Sequence, residues 1–147
     1  MPRPGAAVSV ARMVRVLVVD DHADSRDLIA FMLTSGGHEV RVAADADEAL
    51  ALVRRESFDL GVIDIFMPVR DGISLIGDIR REYPHVKLVA TSAGWDASGK
   101  TASQWSLEVL ARARAAGAEG ALPKPLIREA LLALVDGLVD GAPLAQR

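Results

Sequence analysis

Apolar segments with the pattern of buried strands alternate along this chain with segments of helical periodicity. Continuous runs rich in β-branched residues are typical of strands covered on both faces of a sheet. Such runs occupy Val14–Val19, Val40–Ala43, Leu60–Ile65, Lys87–Ala93 and Gly120–Leu122. Strands that alternate with helices form a parallel sheet, because each right-handed crossover lays its helix against one face. The predicted fold class is therefore α/β.

A helix is predicted after each strand, at about residues 25–34, 45–57, 73–83, 102–116 and 126–139. Asp45, with Glu48 three residues on, forms a capping box that starts the second helix. Apolar residues repeat at helical spacing in these segments. The predicted buried faces include Leu28 in the first helix and Ile127 in the last.

A parallel sheet of five strands with helices on both faces predicts the flavodoxin-like strand order 2-1-3-4-5. Such sheets bind ligands beyond the carboxyl ends of their strands, at the point where the strand order reverses. Here that point lies between strands 1 and 3, which end at Asp20-Asp21 and at Asp64. We therefore expect the functional site at this edge of the sheet.

The length and composition of the chain are those of one folded domain. It has 147 residues, half of them apolar, which is enough for one sizeable core. We expect the domain to span residues 13–140, with a flexible N-terminal extension at residues 1–12 and a frayed tail at residues 141–147. No segment approaches the length of a membrane-spanning helix, so no membrane partner is expected.

The charge balance and the absence of cysteine exclude several classes of function. The net charge is −3, whereas a nucleic-acid-binding domain is usually basic, so no nucleic-acid partner is expected. Without cysteine there are no disulfides, thiolate zinc sites or cysteine nucleophiles. This composition agrees with a reducing, cytoplasmic location. Any metal must be held by oxygen or imidazole ligands.

The acidic residues at the ends of strands 1 and 3 can converge on one point, since neighbouring parallel strands lie about 4.8 Å apart. Carboxylates this close repel each other unless a cation neutralises them. Mg²⁺ suits such a site, because it binds one or two carboxylates together with water and phosphate oxygens. Alternatively, Asp20 ends the strand and Asp21 caps the first helix. Asp64 across the sheet favours the metal site.

Asp64 has the position of a nucleophile that could accept a phosphoryl group, since carboxylates form covalent intermediates of this kind. Lys124 follows strand 5, about 10 Å from strand 3, and only a long cation could reach the phosphoryl group from there. Ser92, near the end of strand 4, could donate its hydroxyl to a phosphoryl oxygen. Each of the two could instead be an ordinary surface residue.

The combination of Asp20-Asp21, residues 64–72 and Lys124-Pro125, in this order and spacing, resembles the response-regulator receiver domain over residues 14–139. The resemblance implies that Mg²⁺ is held by Asp20, Asp21 and Asp64, with the backbone carbonyl of Phe66 as a further ligand. It also implies a cis peptide bond at Lys124-Pro125.

By the same resemblance, Asp64 is the phosphoacceptor and receives its phosphoryl group from a histidine kinase or a phosphotransfer protein. Ser92 then senses the phosphoryl group and Lys124 pairs with it. The residues after Pro125 are expected to form the last helix and a tail, which predicts a stand-alone, single-domain response regulator. It would not be an enzyme beyond its own phosphoryl transfer and dephosphorylation. Its output would be contact with a downstream protein, or phosphorelay.

The chain departs from the receiver pattern in two places. Ala121 occupies the position in strand 5 that usually carries an aromatic switch residue, which removes the ring expected to report phosphorylation. Residues 94–101 form an insertion that matches the phosphate-loop pattern, Gly, four residues, Gly-Lys-Thr. A nucleotide-binding alternative would place Lys100 at the terminal phosphates and Thr101 on Mg²⁺. A third alternative is a receiver-like docking module that works without phosphorylation.

Overall fold

The computed structural model describes residues 13–67, 69–93, 108 and 111–140. The expected extension at residues 1–12 and the expected tail at residues 141–147 lie outside this range. The insertion at residues 94–101 and most of the fourth predicted helix also lie outside it. Within the described residues, no helix is both long enough and apolar enough to cross a lipid bilayer.

Five strands form a single parallel sheet. They are β1 (Arg15–Val19), β2 (Glu39–Ala43), β3 (Leu60–Asp64), β4 (Lys87–Ala93) and β5 (Gly120–Lys124). Their order across the sheet is β2-β1-β3-β4-β5, and all four neighbouring pairs are parallel. The predicted fold class and strand order are confirmed. The order reverses between β1 and β3, whose carboxyl ends therefore meet at the centre of one edge.

The helices are α1 (Ala23–Ser35), α2 (Ala46–Arg55), α3 (Gly72–Glu82), α4, which is helical over 111–116, and α5 (Arg128–Val139). Asp45 caps α2 as predicted, because its carboxylate accepts a hydrogen bond from the Glu48 amide at 2.8 Å; the return bond from the Glu48 side chain stays a prediction. The helix α1 begins two residues before the predicted start. The cause of this lies in the functional site, described below.

Two apolar clusters cover the two faces of the sheet, and alternate strand residues divide between them. Leu17 and Val19 of β1 belong to the cluster that packs against α2 and α3. Val16 and Val18 belong to the cluster that packs against α1 and α5. Because successive side chains of a strand point to opposite faces, a strand buried on both faces must be apolar throughout. The helices therefore lie on both faces, as predicted.

Two residues predicted to be buried are exposed. Leu28 is 50% exposed and Ile127 is 63% exposed. In α1 the buried residues are Ile29, Met32 and Leu33, and Leu28 lies about 90° from the centre of that stripe at about 100° per residue. Ile127 is the N-cap of α5 and has extended backbone angles. It lies outside the helix, so helical periodicity does not predict its direction.

One histidine is part of the core. His38 is 5% exposed and lies between α1 and β2, where its Nδ1 accepts a hydrogen bond from the Val14 amide at 3.1 Å. The accepting nitrogen carries no proton, so the proton of the neutral ring is on Nε2. Burial lowers the pKa of His38 below its ordinary value of 6.5, and the nearby Asp136 carboxylate opposes part of this shift.

We expect acid to destabilise the wild-type protein more than a His38→Asn variant. Below about pH 6.5 the unfolded chain protonates His38 while the folded chain keeps it neutral, so stability falls as the pH drops towards the lowered folded pKa. The asparagine Oδ1 can accept the Val14 hydrogen bond without titrating. Urea unfolding between about pH 8 and pH 5 measures the free energy of unfolding of both proteins. The contributions of the titrating groups that both proteins share cancel in the difference.

The matched control is His85→Asn, because His85 is exposed and lies in the turn before β4. This variant should keep the acid dependence of the wild type. A His38→Asn variant with the same acid dependence as the wild type would contradict the prediction.

Candidate functional site

Charged side chains from three strand ends meet at the carboxyl edge of the sheet. Nζ of Lys124, at the end of β5, lies 2.7 Å from Oδ2 of Asp20 and 3.4 Å from Oδ2 of Asp64. The Asp20 and Asp64 side chains are 1% and 4% exposed, and the Lys124 side chain is 19% exposed. The sequence predicted that a lysine on β5 would have to be extended to reach this point, and in the structure it reaches both acids.

Asp20 is held in place by its own neighbours in the chain. Its Oδ1 accepts a hydrogen bond from the His22 amide at 2.9 Å, and its Oδ2 accepts one from the Ser25 hydroxyl at 2.7 Å. The Arg26 guanidinium donates to the Asp20 carbonyl at 3.0 Å. The first of these bonds turns the chain at His22, which is why α1 begins at Ala23.

Sequence reasoning missed the roles of Ser25 and Arg26, having used Ser25 only as a helix start. The signal was available, because both residues lie in the first turn of a helix that follows an acidic strand end. A hydroxyl or guanidinium at that position can reach back to the preceding carboxylate or carbonyl.

The two buried acids have opposite pKa shifts. Burial alone would raise the pKa of Asp20, but the hydrogen bonds from Lys124, His22 and Ser25 outweigh it and lower the pKa below its ordinary value. Burial raises the pKa of Asp64 from 3.8 to about 6, and the Asp20 charge adds to this, while Lys124 and the Phe66 amide oppose it. The fold therefore stabilises the negative charge of Asp20 and destabilises that of Asp64.

Four side chains at this edge could hold a metal ion. Ligand atoms of Asp20, Asp21, His22 and Asp64 all lie within 4.8 Å of one another. The Oδ1 atom of Asp21 is buried and has no hydrogen-bond partner in the described part of the chain. A buried carboxylate oxygen without a partner is costly. The acids that the sequence assigned to Mg²⁺ therefore lie together and fit a divalent cation.

Phe66 contacts the site through its backbone. Its amide donates a hydrogen bond to Oδ1 of Asp64 at 3.0 Å, and its side chain is 39% exposed. This bond occupies one carboxylate oxygen and leaves Oδ2 beside Lys124. The predicted role of the Phe66 carbonyl as a metal ligand stays a prediction.

Two hydroxyl residues follow each other on β4 beside Asp64. Ser92 is 4% exposed, and no hydrogen bond joins it to Asp64 among the described residues, so its role stays a prediction. Thr91, which sequence reasoning did not single out, is the register partner of Asp64. Its Oγ1 is buried and has no hydrogen-bond partner within the described ranges. The signal for it was its place beside Ser92 at the end of the same strand.

Gly72 begins α3 in close contact with the end of β3. Its amide donates to the Ile65 carbonyl at 2.9 Å, and a Cβ atom at this position would lie 2.1 Å from the Asp64 carbonyl oxygen. No side chain fits so close an approach. The glycine thus lets α3 pack directly behind the nucleophile candidate.

Other expectations for this edge have mixed outcomes. The Lys124-Pro125 peptide bond is cis, as the resemblance implied. Ala121 pairs with Ala90 in the sheet and is partly buried against the core. Lys100 and Thr101, the residues of the nucleotide-binding alternative, lie outside the described residues.

A family model described as the response regulator receiver domain matches residues 16–136. The structure of the chain is also similar to the crystal structure of the receiver domain of NtrX from Brucella abortus, with a TM-score of 0.75 and a sequence identity of 31%. That match covers 86% of this chain and 99% of the other.

Two curated relatives come from Pseudomonas aeruginosa. The response regulator protein FleR is 34% identical over 82% of this chain and 24% of its own length. The sensor histidine kinase AruS is 35% identical over 84% of this chain and 11% of its own length. The chain thus spans less than a quarter of the length of these two relatives.

We expect Asp64→Asn to stabilise the metal-free protein at neutral pH by roughly 2 kcal/mol, since the shift from 3.8 to about 6 sets an upper bound near 3 kcal/mol. The raised folded pKa means that the wild type is most stable below the unfolded value and loses that stability as the pH rises through 6. The advantage of the variant should therefore shrink as the pH falls from about 6 to 4. Urea unfolding in chelator at several pH values measures the stability difference between the variant and the wild type. A variant that is less stable than the wild type at neutral pH would contradict the prediction.

We expect Gly72→Ala to destabilise the fold by about 2–3 kcal/mol, because the new methyl group must displace the Asp64 carbonyl or α3. The control is Gly77→Ala in the same helix, where the nearest atom to an added Cβ is Nη1 of Arg81 at 3.6 Å. That variant should gain about 0.5–1 kcal/mol from helix propensity. Denaturant unfolding measures the stability of both variants. Equal changes in their free energy of unfolding would contradict the role given to Gly72.

Proposed function

We propose, since this chain belongs to the response regulator receiver domain family, that it is a Mg²⁺-dependent phosphorylation switch with Asp64 as the phosphoacceptor. The observation that carries the proposal is the contact of Lys124 with both buried acids at the switch point of the sheet. A buried carboxylate, a neighbouring acidic pair and a lysine are the groups that a phosphoaspartate site requires.

In this proposal Asp20, Asp21 and Asp64 hold Mg²⁺, together with the backbone carbonyl of Phe66. The ion would neutralise negative charge on the equatorial phosphoryl oxygens. Asp20 would be ordered before the ion binds, because its carboxylate accepts hydrogen bonds from the His22 amide and the Ser25 hydroxyl. A preorganised site loses less entropy on binding.

The proposed nucleophile is Oδ2 of Asp64, because Oδ1 accepts the Phe66 amide. Its bond to phosphorus forms as the bond between phosphorus and the donor's leaving atom breaks, which gives an acyl phosphate. Lys124, 3.4 Å from Oδ2, would then pair with the phosphoryl oxygens. Ser92 would donate its hydroxyl to another of these oxygens and so sense the modification.

The proposed phosphoryl donor is a phosphohistidine, carried by a histidine kinase or a phosphotransfer protein. The names of the relatives support it, since they include a sensor histidine kinase and a response regulator. A cytoplasmic setting belongs to the same proposal. We propose residues 13–140 as the folded unit and contact with a downstream protein, or phosphorelay, as its output.

The test is intact mass after incubation with a small acyl-phosphate donor, with Mg²⁺ or with chelator. We expect one phosphoryl adduct on the wild type in Mg²⁺, and none in chelator or on Asp64→Asn. The control is Asp24→Asn, an exposed acid in the first turn of α1, which should still be modified. Lys124→Ala should slow the reaction, because the ammonium group no longer pairs with the transferred group and Mg²⁺ alone would offset its charge.

A wild-type chain that binds Mg²⁺ but takes no phosphoryl group, from either the small donor or a phosphohistidine donor, would contradict the proposal. It would favour the docking module that works without phosphorylation. An adduct that persists in Asp64→Asn would place the acceptor elsewhere.

A further inference from the structure

We infer that His22 is a nitrogen ligand of the metal site, so that the site prefers first-row transition ions such as Mn²⁺ to Mg²⁺. The inference rests on the proposed function, since it takes the acids of that site as the other ligands. It adds a ligand and a metal preference that the carboxylates alone do not give.

The chain holds His22 at the metal site by its backbone. It directly follows Asp20-Asp21 and is the N-cap residue of α1. The His22 amide donates a hydrogen bond to Oδ1 of Asp20 at 2.9 Å. This bond fixes the point of the backbone from which the ring projects. Nδ1 then lies 3.3 Å from Oδ1 of Asp21 and 3.8 Å from Oδ1 of Asp20. The imidazole therefore faces both acids.

These distances are those of ligands that share one ion. An octahedral site with bonds of about 2.1 Å places adjacent ligand atoms about 3.0 Å apart and opposite ones about 4.2 Å apart. The distances from the imidazole nitrogen to the two carboxylates fall between these values. The whole group, with Asp64, fits within 4.8 Å. The His22 ring is exposed and can turn towards the ion.

No hydrogen bond accounts for the approach of His22 to Asp21. Oδ1 of Asp21 is buried and has no hydrogen-bond partner among the described residues, although the imidazole nitrogen is only 3.3 Å away. A cation placed between the imidazole nitrogen and this carboxylate oxygen would contact both atoms. The same ion would give the buried carboxylate oxygen its partner.

The ligand chemistry then sets the metal preference. Sites of carboxylate, carbonyl and water oxygens suit Mg²⁺ and Mn²⁺, and imidazole favours transition ions. Mg²⁺ gains little from a nitrogen ligand, whereas Mn²⁺ accepts both kinds. The His22 side chain is 72% exposed, so its ordering has an entropic cost that only a favourable bond offsets.

The test uses the full chain loaded with Mn²⁺ and pulsed electron paramagnetic resonance, which detects a ¹⁴N nucleus bound to the ion. We expect a nitrogen coupling in the wild type and none in His22→Ala. The variant keeps the backbone amide that binds Asp20, so the acids stay in place. His85→Ala, which removes an exposed histidine from the turn before β4, is the matched control and should keep the coupling.

The second readout is affinity for each ion, by direct titration with Mn²⁺ and by competition with Mg²⁺. His22→Ala should weaken Mn²⁺ binding roughly tenfold and change Mg²⁺ binding less than about twofold, because only Mn²⁺ gains from the nitrogen. No nitrogen coupling in the wild type, or an unchanged ratio of the two affinities, overturns the inference.

The two proposals fail in distinguishable ways. A chain that takes a Mg²⁺-dependent phosphoryl group at Asp64, yet shows no nitrogen coupling, loses only the inference about His22. A folded chain that binds neither ion loses both.

Discussion

The contact between the Lys124 ammonium and the carboxylates of Asp20 and Asp64 is the interaction on which the rest of this site depends. Two nearly inaccessible acids at neighbouring strand ends would repel each other, and burial would penalise both charges. The lysine comes from β5, so it reaches them only if the sheet has the order β2-β1-β3-β4-β5 and β1 and β3 are adjacent. The charge balance of the site therefore depends on the strand order of the fold.

Lys124 contacts both Asp20 and Asp64, but the other hydrogen bonds of these two acids differ. Asp20 has two further hydrogen-bond donors, from His22 and Ser25, and its pKa is lowered. Among the described residues, Asp64 receives only the Phe66 amide in addition, and its pKa is raised to about 6. The fold thus holds the Asp20 carboxylate in place and leaves the charge of the Asp64 carboxylate under-stabilised. A group that must react benefits from the second arrangement, since a cation or a new bond can relieve its cost.

Strand order and the meeting of Asp20, Asp64 and Lys124 could be predicted from sequence because they follow from local patterns. Apolar runs define the strands, and parallel topology brings their polar ends to one edge. Ser25 and Thr91, which lie beside those acids, were missed, because their places depend on where the first helix begins and on the strand register. The burial predicted for Ile127 was wrong because this residue lies outside α5, whereas Leu28 lies at the margin of the apolar stripe of α1. Periodicity gives the width of an apolar stripe, and tertiary packing decides which residues at its margin are covered.

Ala121 limits how a change at Asp64 can reach the surface. Its side chain is a methyl group without a rotamer, so no ring movement at this position of β5 can report phosphorylation. Its neighbour in the sheet, Ala90, is equally small. In the proposed function, a change at Asp64 would still reach the backbone at the end of β4, because Thr91 pairs with Asp64 in the sheet and Ser92 follows it. Residues 94–101 follow β4 directly in sequence, so the insertion is joined to the strand end that lies beside Asp64.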